Sequence, residues 1–198
     1  MIQTALTFDD VLLVPKFSSI VSRSEVKLDS NLDKDRKLTL PVISSPMDTV
    51  TEHTMAATIS NHGGLGIIHR YNSIDEQAKL VIKAKEAGAK LVGAAVGSTG
   101  DFYERASELI KWVDVICVDV AHGHHQNVRE AIEKIKNHLS HYKFHLMAGN
   151  VATGEGFQAL SDWGADSIRV GIGGGSICST RLQTGFGVPN LAAIFDCR

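Results

Sequence analysis

From Leu40 onward, short apolar runs ending in Gly, Ser, Asn or His alternate with segments whose apolar residues fall at helical spacing. The runs occupy residues 41–45, 65–69, 90–96, 115–121, 145–150 and 167–171. Their starts recur at roughly 22 to 30 residues, the size of a strand–helix unit in a parallel sheet. Continuous apolar stretches such as Val115-Ile116-Cys117-Val118 suit strands buried on both faces. Between them, Ile74, Ala78, Val81 and Ile82 share one helical face, and Ser73 with Glu76 forms a capping box. Val128, Ile132, Ile135 and Leu139 make a second stripe, with Arg129, Glu130, Lys134 and Lys136 outside it. A third helix runs from about Phe157 to Trp163 and stops at Gly164. These stripes read as core.

Uninterrupted β-α repetition implies either an open doubly wound sheet or a closed eight-fold barrel. Six units are present, whereas a barrel needs eight and typically about 250 residues. A sixth helix, from Pro189 through Ala192, Ala193 and Ile194, would still be running at Arg198, so the expectation is of a chain cut within its fold. Residues 1–40 read as a lead-in covering one end, and residues 1–198 as a single domain.

With 43% hydrophobic and 21% charged residues, the composition is that of a globular chain. A net charge of −2 and the lack of any basic block argue against a nucleic-acid surface. Met1-Ile2-Gln3-Thr4 lacks the features of a secretion signal, and no apolar run reaches membrane-spanning length. Three cysteines, Cys117, Cys178 and Cys197, without metal-ligand spacing imply reduced thiols in the cytoplasm.

Candidate chemistry gathers after the strands, where α/β active sites sit. After the sixth run, Gly171, Gly173, Gly174 and Gly175 lead into Ser176, Cys178, Ser179 and Thr180. Amides in such a loop can cradle a phosphate while a thiol stands beside it as a nucleophile; the alternative is a plain glycine-rich turn. Asp119 at a strand end could accept from a ribose hydroxyl or merely cap a helix, and Asn150 could read a base or sugar. His122, His124 and His125 read as a solvated loop rather than metal ligands. Cys117 and Cys197 read as inert thiols.

Six segments together resemble the inosine monophosphate (IMP) dehydrogenase and guanosine monophosphate (GMP) reductase family. They are residues 7–15, Ser44-Ser45-Pro46-Met47-Asp48-Thr49-Val50, Gly64-Leu65-Gly66-Ile67-Ile68-His69, Asp119-Val120-Ala121-His122-Gly123, residues 148–153 and residues 171–181. The resemblance implies a (β/α)8 TIM barrel, a homotetramer when full length, acting on a purine nucleoside monophosphate. In the dehydrogenases the loop cysteine attacks C2 of IMP, hydride passes to NAD, and hydrolysis releases xanthosine monophosphate. In the reductases it attacks C2 of GMP, ammonia leaves and NADPH supplies hydride. By motif, Cys178 would be the nucleophile and Thr180 would assist the water or ammonia step. Ser45, Met47, Asn150, Arg169, Gly175 and Ser176 would bind substrate. Asp119, Gly171, Ile172 and Gly173 would lie along the dinucleotide. Backbone carbonyls of Gly173, Gly175 and Cys178 resemble a potassium site.

The chain departs from that pattern in places. No CBS pair interrupts residues 83–91, as in the reductases, whereas residues 185–189, 64–69 and 73–77 look more like bacterial dehydrogenases. Gly174 and Ser179 stand where proline and threonine are frequent. The family's last two strands, its flap with the catalytic arginine, and the reductase glutamate would follow Arg198. The dehydrogenase is therefore the first reading and the reductase the second; a shortened, non-catalytic partner of a full-length homologue is a third.

Overall fold

The computed structural model describes residues 4–198; Met1, Ile2 and Gln3, part of the start read above, lie outside them. Six parallel strands pair strictly in chain order: β3 (Ile43–Ser44), β4 (Leu65–Ile68), β5 (Val92–Val96), β6 (Val115–Asp119), β7 (His145–Val151) and β8 (Ser167–Val170). A doubly wound sheet reverses its order at a switch point; this one never does. It curls instead, so that residues of its two outer strands, Ile43 and Ser44 on one side and Ser167 and Ile168 on the other, line a single cavity of about 250 Å³. The architecture is an open, partial TIM barrel.

Strand alternation builds two cores. Ile68, Ala94, Ile116, Val118, Leu146 and Ala148 face outward against the helices. Leu65, Ile67, Ala95, Val115, Cys117 and Met147 face inward. The helices that close the outer layer are α1 (His53–Asn61), α2 (Ile74–Glu86), α3 (Phe102–Leu109), α4 (Gln126–His138) and α5 (Gly154–Asp162). On α4, Val128, Ile132 and Ile135 are fully buried, each contributing about 1.5–3 kcal/mol of burial free energy. Ser73 and Glu76 satisfy each other's amides at the start of α2, the reciprocal cap expected from their spacing. His125 caps α4 by accepting from the Asn127 amide at 3.1 Å, so Asp119 has no capping role there.

Two acidic residues set strand register at the opposite end. The Asp114 carboxylate accepts the Val92 amide at 2.9 Å and Lys85 Nζ at 2.6 Å. Asp166 likewise accepts the Leu146 amide and Lys136 Nζ, both at 2.7 Å. Each carboxylate immediately precedes one strand and ties it to the first residues of the neighbouring strand.

The lead-in divides into two parts. Leu12, Leu13, Phe17 and Val21 are more than nine-tenths exposed, so this apolar motif does not cover the sheet. That task falls to a short hairpin, β1 (Ser30–Asn31) and β2 (Lys37–Leu38), whose Leu32 and Leu38 enter the inner core. The hairpin turn is fastened by fully buried His145, whose Nδ1 donates to the Asp33 carboxylate at 2.7 Å. His145 Nε2 lies 2.7 Å from Ser167 Oγ. Burial alone would raise the Asp33 carboxyl, but donors from Asp35, His145 and Arg36 outweigh it and hold the group at about 2. An unfolded aspartate titrates near 3.9, so this contact stabilises the fold fully above that value and is lost as pH falls toward about 2. Asp33→Asn is expected to cost about 1–3 kcal/mol at neutral pH. In urea unfolding, the difference from the parent should shrink through that acid window; a difference independent of pH would contradict the assignment.

Candidate active site

The inward register that places Cys117 in the core carries Asp119, two residues later, to the rim of the sheet. Arg169 stands at the matching level on β8, with Gly149 of β7 between them: Asp119 and Arg169 are both register partners of Gly149. A side chain there is excluded, because an added Cβ would lie 2.7 Å from Arg169 Cβ and 2.8 Å from its carbonyl oxygen. Across this gap Arg169 Nη1 donates to Asp119 Oδ1, forming a half-buried ion pair. Asn150, next along β7, donates to the Gly171 carbonyl at 2.9 Å and tethers the start of the glycine loop.

Gly173 has φ of +74°, a conformation that side-chain-bearing residues rarely adopt, and it packs against Gly187. The space a side chain would need at Gly174 is held by Asn190, whose Oδ1 would lie 2.1 Å from an added Cβ. The polar side chain of Asn190 thus stands where a proline ring at position 174 would project. The loop then enters the short helix α6 (Thr180–Thr184). Cys178 is half-buried, and the Thr180 hydroxyl, then the Thr180 amide, hold its thiol below the ordinary value. Cys117 behaves oppositely: burial pushes its thiol up to about 12, despite the nearby Arg169 guanidinium. Low pKa and exposure make a reactive cysteine, and Cys178 alone of these two has both.

A cavity of about 390 Å³ brings together Cys178, Thr180, Asp119, Asn150, Arg169 and the Gly171–Ile172–Gly173 backbone. Ser176 lines an adjoining cavity with Gly173, Gly174 and Arg181, and Ser45 lines the inner one with Arg169. Met47 is exposed and borders none of the cavities described here. Sequence reasoning missed Arg70 and Tyr71, which complete the main cavity; Arg70 Nη2 lies 3.4 Å from the Asp119 carbonyl, and its guanidinium sits over the Tyr71 ring. Their signal was available, since both directly follow the 65–69 run. A more apolar cavity of about 470 Å³ lies beyond Ile172 and Thr180, bounded by His122, His124 and Phe186.

Two of the three carbonyls expected to hold potassium, those of Gly173 and Gly175, meet another cation. Arg181 Nη1 donates to the Gly173 carbonyl and, at 2.7 Å, to that of Gly175. Gly175 also accepts the Cys178 amide at 3.1 Å, filling both its lone pairs. Among the described residues, no three His, Cys, Asp or Glu side chains converge as metal ligands.

Comparison with known proteins adds a finding of a different kind. Residues 5–198 match the family described as IMP dehydrogenase / GMP reductase domain. The chain is 39% identical to inosine-5'-monophosphate dehydrogenase of Borreliella burgdorferi, over 97% of this chain and 59% of that protein. To the Cryptosporidium parvum enzyme of the same name it is 37% identical, over 97% and 57%. To GMP reductase 1 of Mus musculus it is 38% identical, again over 97% and 57%. The chain thus spans under two thirds of the length of these relatives.

Proposed function

Because the chain belongs to the IMP dehydrogenase / GMP reductase family, we propose that it forms the nucleophile-bearing part of an oxidoreductase that converts IMP to xanthosine monophosphate. The observation that carries this reading is Cys178: a half-exposed thiol of lowered pKa, at the end of a glycine loop and on the wall of the Asp119–Asn150–Arg169 cavity. The Cys178 thiolate adds to C2 of the purine, and the loop amides beside Ser176 hold the nucleotide phosphate. Asn150 and Arg169 orient the nucleotide. The second oxygen of the Asp119 carboxylate, on the wall of this cavity, would accept from the nicotinamide ribose. Held along Asp119 and the Gly171–Ile172–Gly173 backbone, NAD would supply the acceptor for the hydride leaving C2. Thr180, beside the sulfur, then assists water in releasing the product and regenerating the thiol.

A specific observation favours the reductase as the second reading. Helix α2 ends at Glu86 and β5 begins at Val92, so no module interrupts the chain there; GMP reductase 1 aligns over 199 residues, close to this chain's own length, whereas the two dehydrogenases compared above align over 242 and 235. Two parallel assays on the intact protein separate the readings. The dehydrogenase produces NADH from IMP and NAD; the reductase consumes NADPH with GMP and releases ammonia. Failure of both reactions would overturn the proposal.

A further inference from the structure

Two backbone carbonyls in the cysteine loop converge on one cationic nitrogen. Nη1 of Arg181 donates to the Gly173 carbonyl and, at 2.7 Å, to the Gly175 carbonyl. The guanidinium comes from the first turn of α6, directly after the loop it reaches back to, so a short chain segment supplies both cation and ligands. The Gly175 oxygen has no lone pair left once it also accepts the Cys178 amide. A potassium ion at these oxygens would sit against a fixed positive charge and would displace its hydrogen bonds. Arg181 also contributes to lowering the Cys178 thiol, after Thr180.

We propose that Arg181 is the loop's own cation: its guanidinium gathers the Gly173 and Gly175 carbonyls and makes the order of the cysteine loop independent of added potassium. The chemistry needs no bond-making, only a positive charge with donors aimed at two carbonyl oxygens, which a planar guanidinium supplies in fixed geometry. The role concerns loop order and stands apart from the choice of substrate or cofactor.

The test is amide hydrogen exchange of residues 172–184 in the intact protein, with potassium chloride and choline chloride compared at equal ionic strength. In the parent protein, loop exchange should differ by less than about two-fold between the salts. In Arg181→Gln, which keeps donors but loses the charge, exchange should rise about ten-fold in choline chloride and return toward the parent in potassium chloride. Arg181→Lys restores the charge and should lie close to the parent in both salts. Potassium protection of the parent as large as that of Arg181→Gln overturns the proposal. So does a loop loosened equally in both salts, which would make Arg181 a structural prop only, and so does an Arg181→Gln loop that matches the parent. Exchange in residues 115–119 of β6 reports whether each variant is folded. Because the readout needs no turnover, failure of IMP oxidation and failure of this inference are distinguishable.

Discussion

Replacing Cys178 by alanine is expected to lower the proposed IMP oxidation at least about ten-thousand-fold, because removal of the proposed covalent nucleophile leaves only binding and orientation. Nucleotide binding should persist, since the loop amides, Asn150 and Arg169 do not depend on the thiol. The contrast between the two thiols supplies an independent check. Cys178 should react with iodoacetamide at pH values below the ordinary thiol value of about 8.5, its hydrogen bonds from Thr180 favouring the thiolate. Cys117, fully buried and with its thiol pushed up to about 12, should stay unlabelled until the protein unfolds. IMP should protect Cys178 and leave Cys117 unaffected. Turnover in Cys178→Ala within ten-fold of the parent would remove the nucleophile from the mechanism.

The second large effect is structural in origin. Gly149→Val is expected to cost about 3 kcal/mol or more, because the new side chain meets Arg169 at 2.7 Å on its Cβ and 2.8 Å on its backbone oxygen. Neither atom is the far end of a flexible side chain, so β7 and β8 must separate. The same side chain would stand between Asp119 and Arg169, both paired in register with Gly149. Asp119 would then lose its guanidinium partner, so activity should fall further than the stability loss alone explains. Urea unfolding gives the first quantity, and the KM for NAD, measured where the variant is still folded, gives the second. Unchanged stability would show that the sheet accommodates a side chain at this level.

Much of the fold was legible in the pattern of the chain. Five of the six parallel strands lie within the apolar runs and β7 overshoots its run by one residue, Val151, while the stripe on α4 is buried as its spacing implied. Burial on both faces of a parallel sheet forces apolar runs, and that composition survives in one dimension. Helix α3 was harder to see: Arg105 is buried on it, held by Gln77 at 2.8 Å and by Asp101 at 2.7 Å. A charged residue on the buried face breaks the stripe that announces a helix. The hairpin was invisible for a related reason, since its anchor joins Asp33 to His145 across 112 positions.

For the site, the sequence by itself determined which residue types stand at the strand ends, because a glycine loop with a following thiol and an acidic strand terminus are local features. Only the tertiary structure decided how they combine. It gave Asp119 to Arg169 rather than leaving it free, brought Arg70 and Tyr71 into the cavity, and set the Arg181 charge on two of the three carbonyls expected to receive an ion. It also left Met47 outside the cavity. Each of these outcomes depends on where the curl of the sheet brings separate strands and loops, and charge pairing acts through space, whereas sequence spacing constrains only residues within one element.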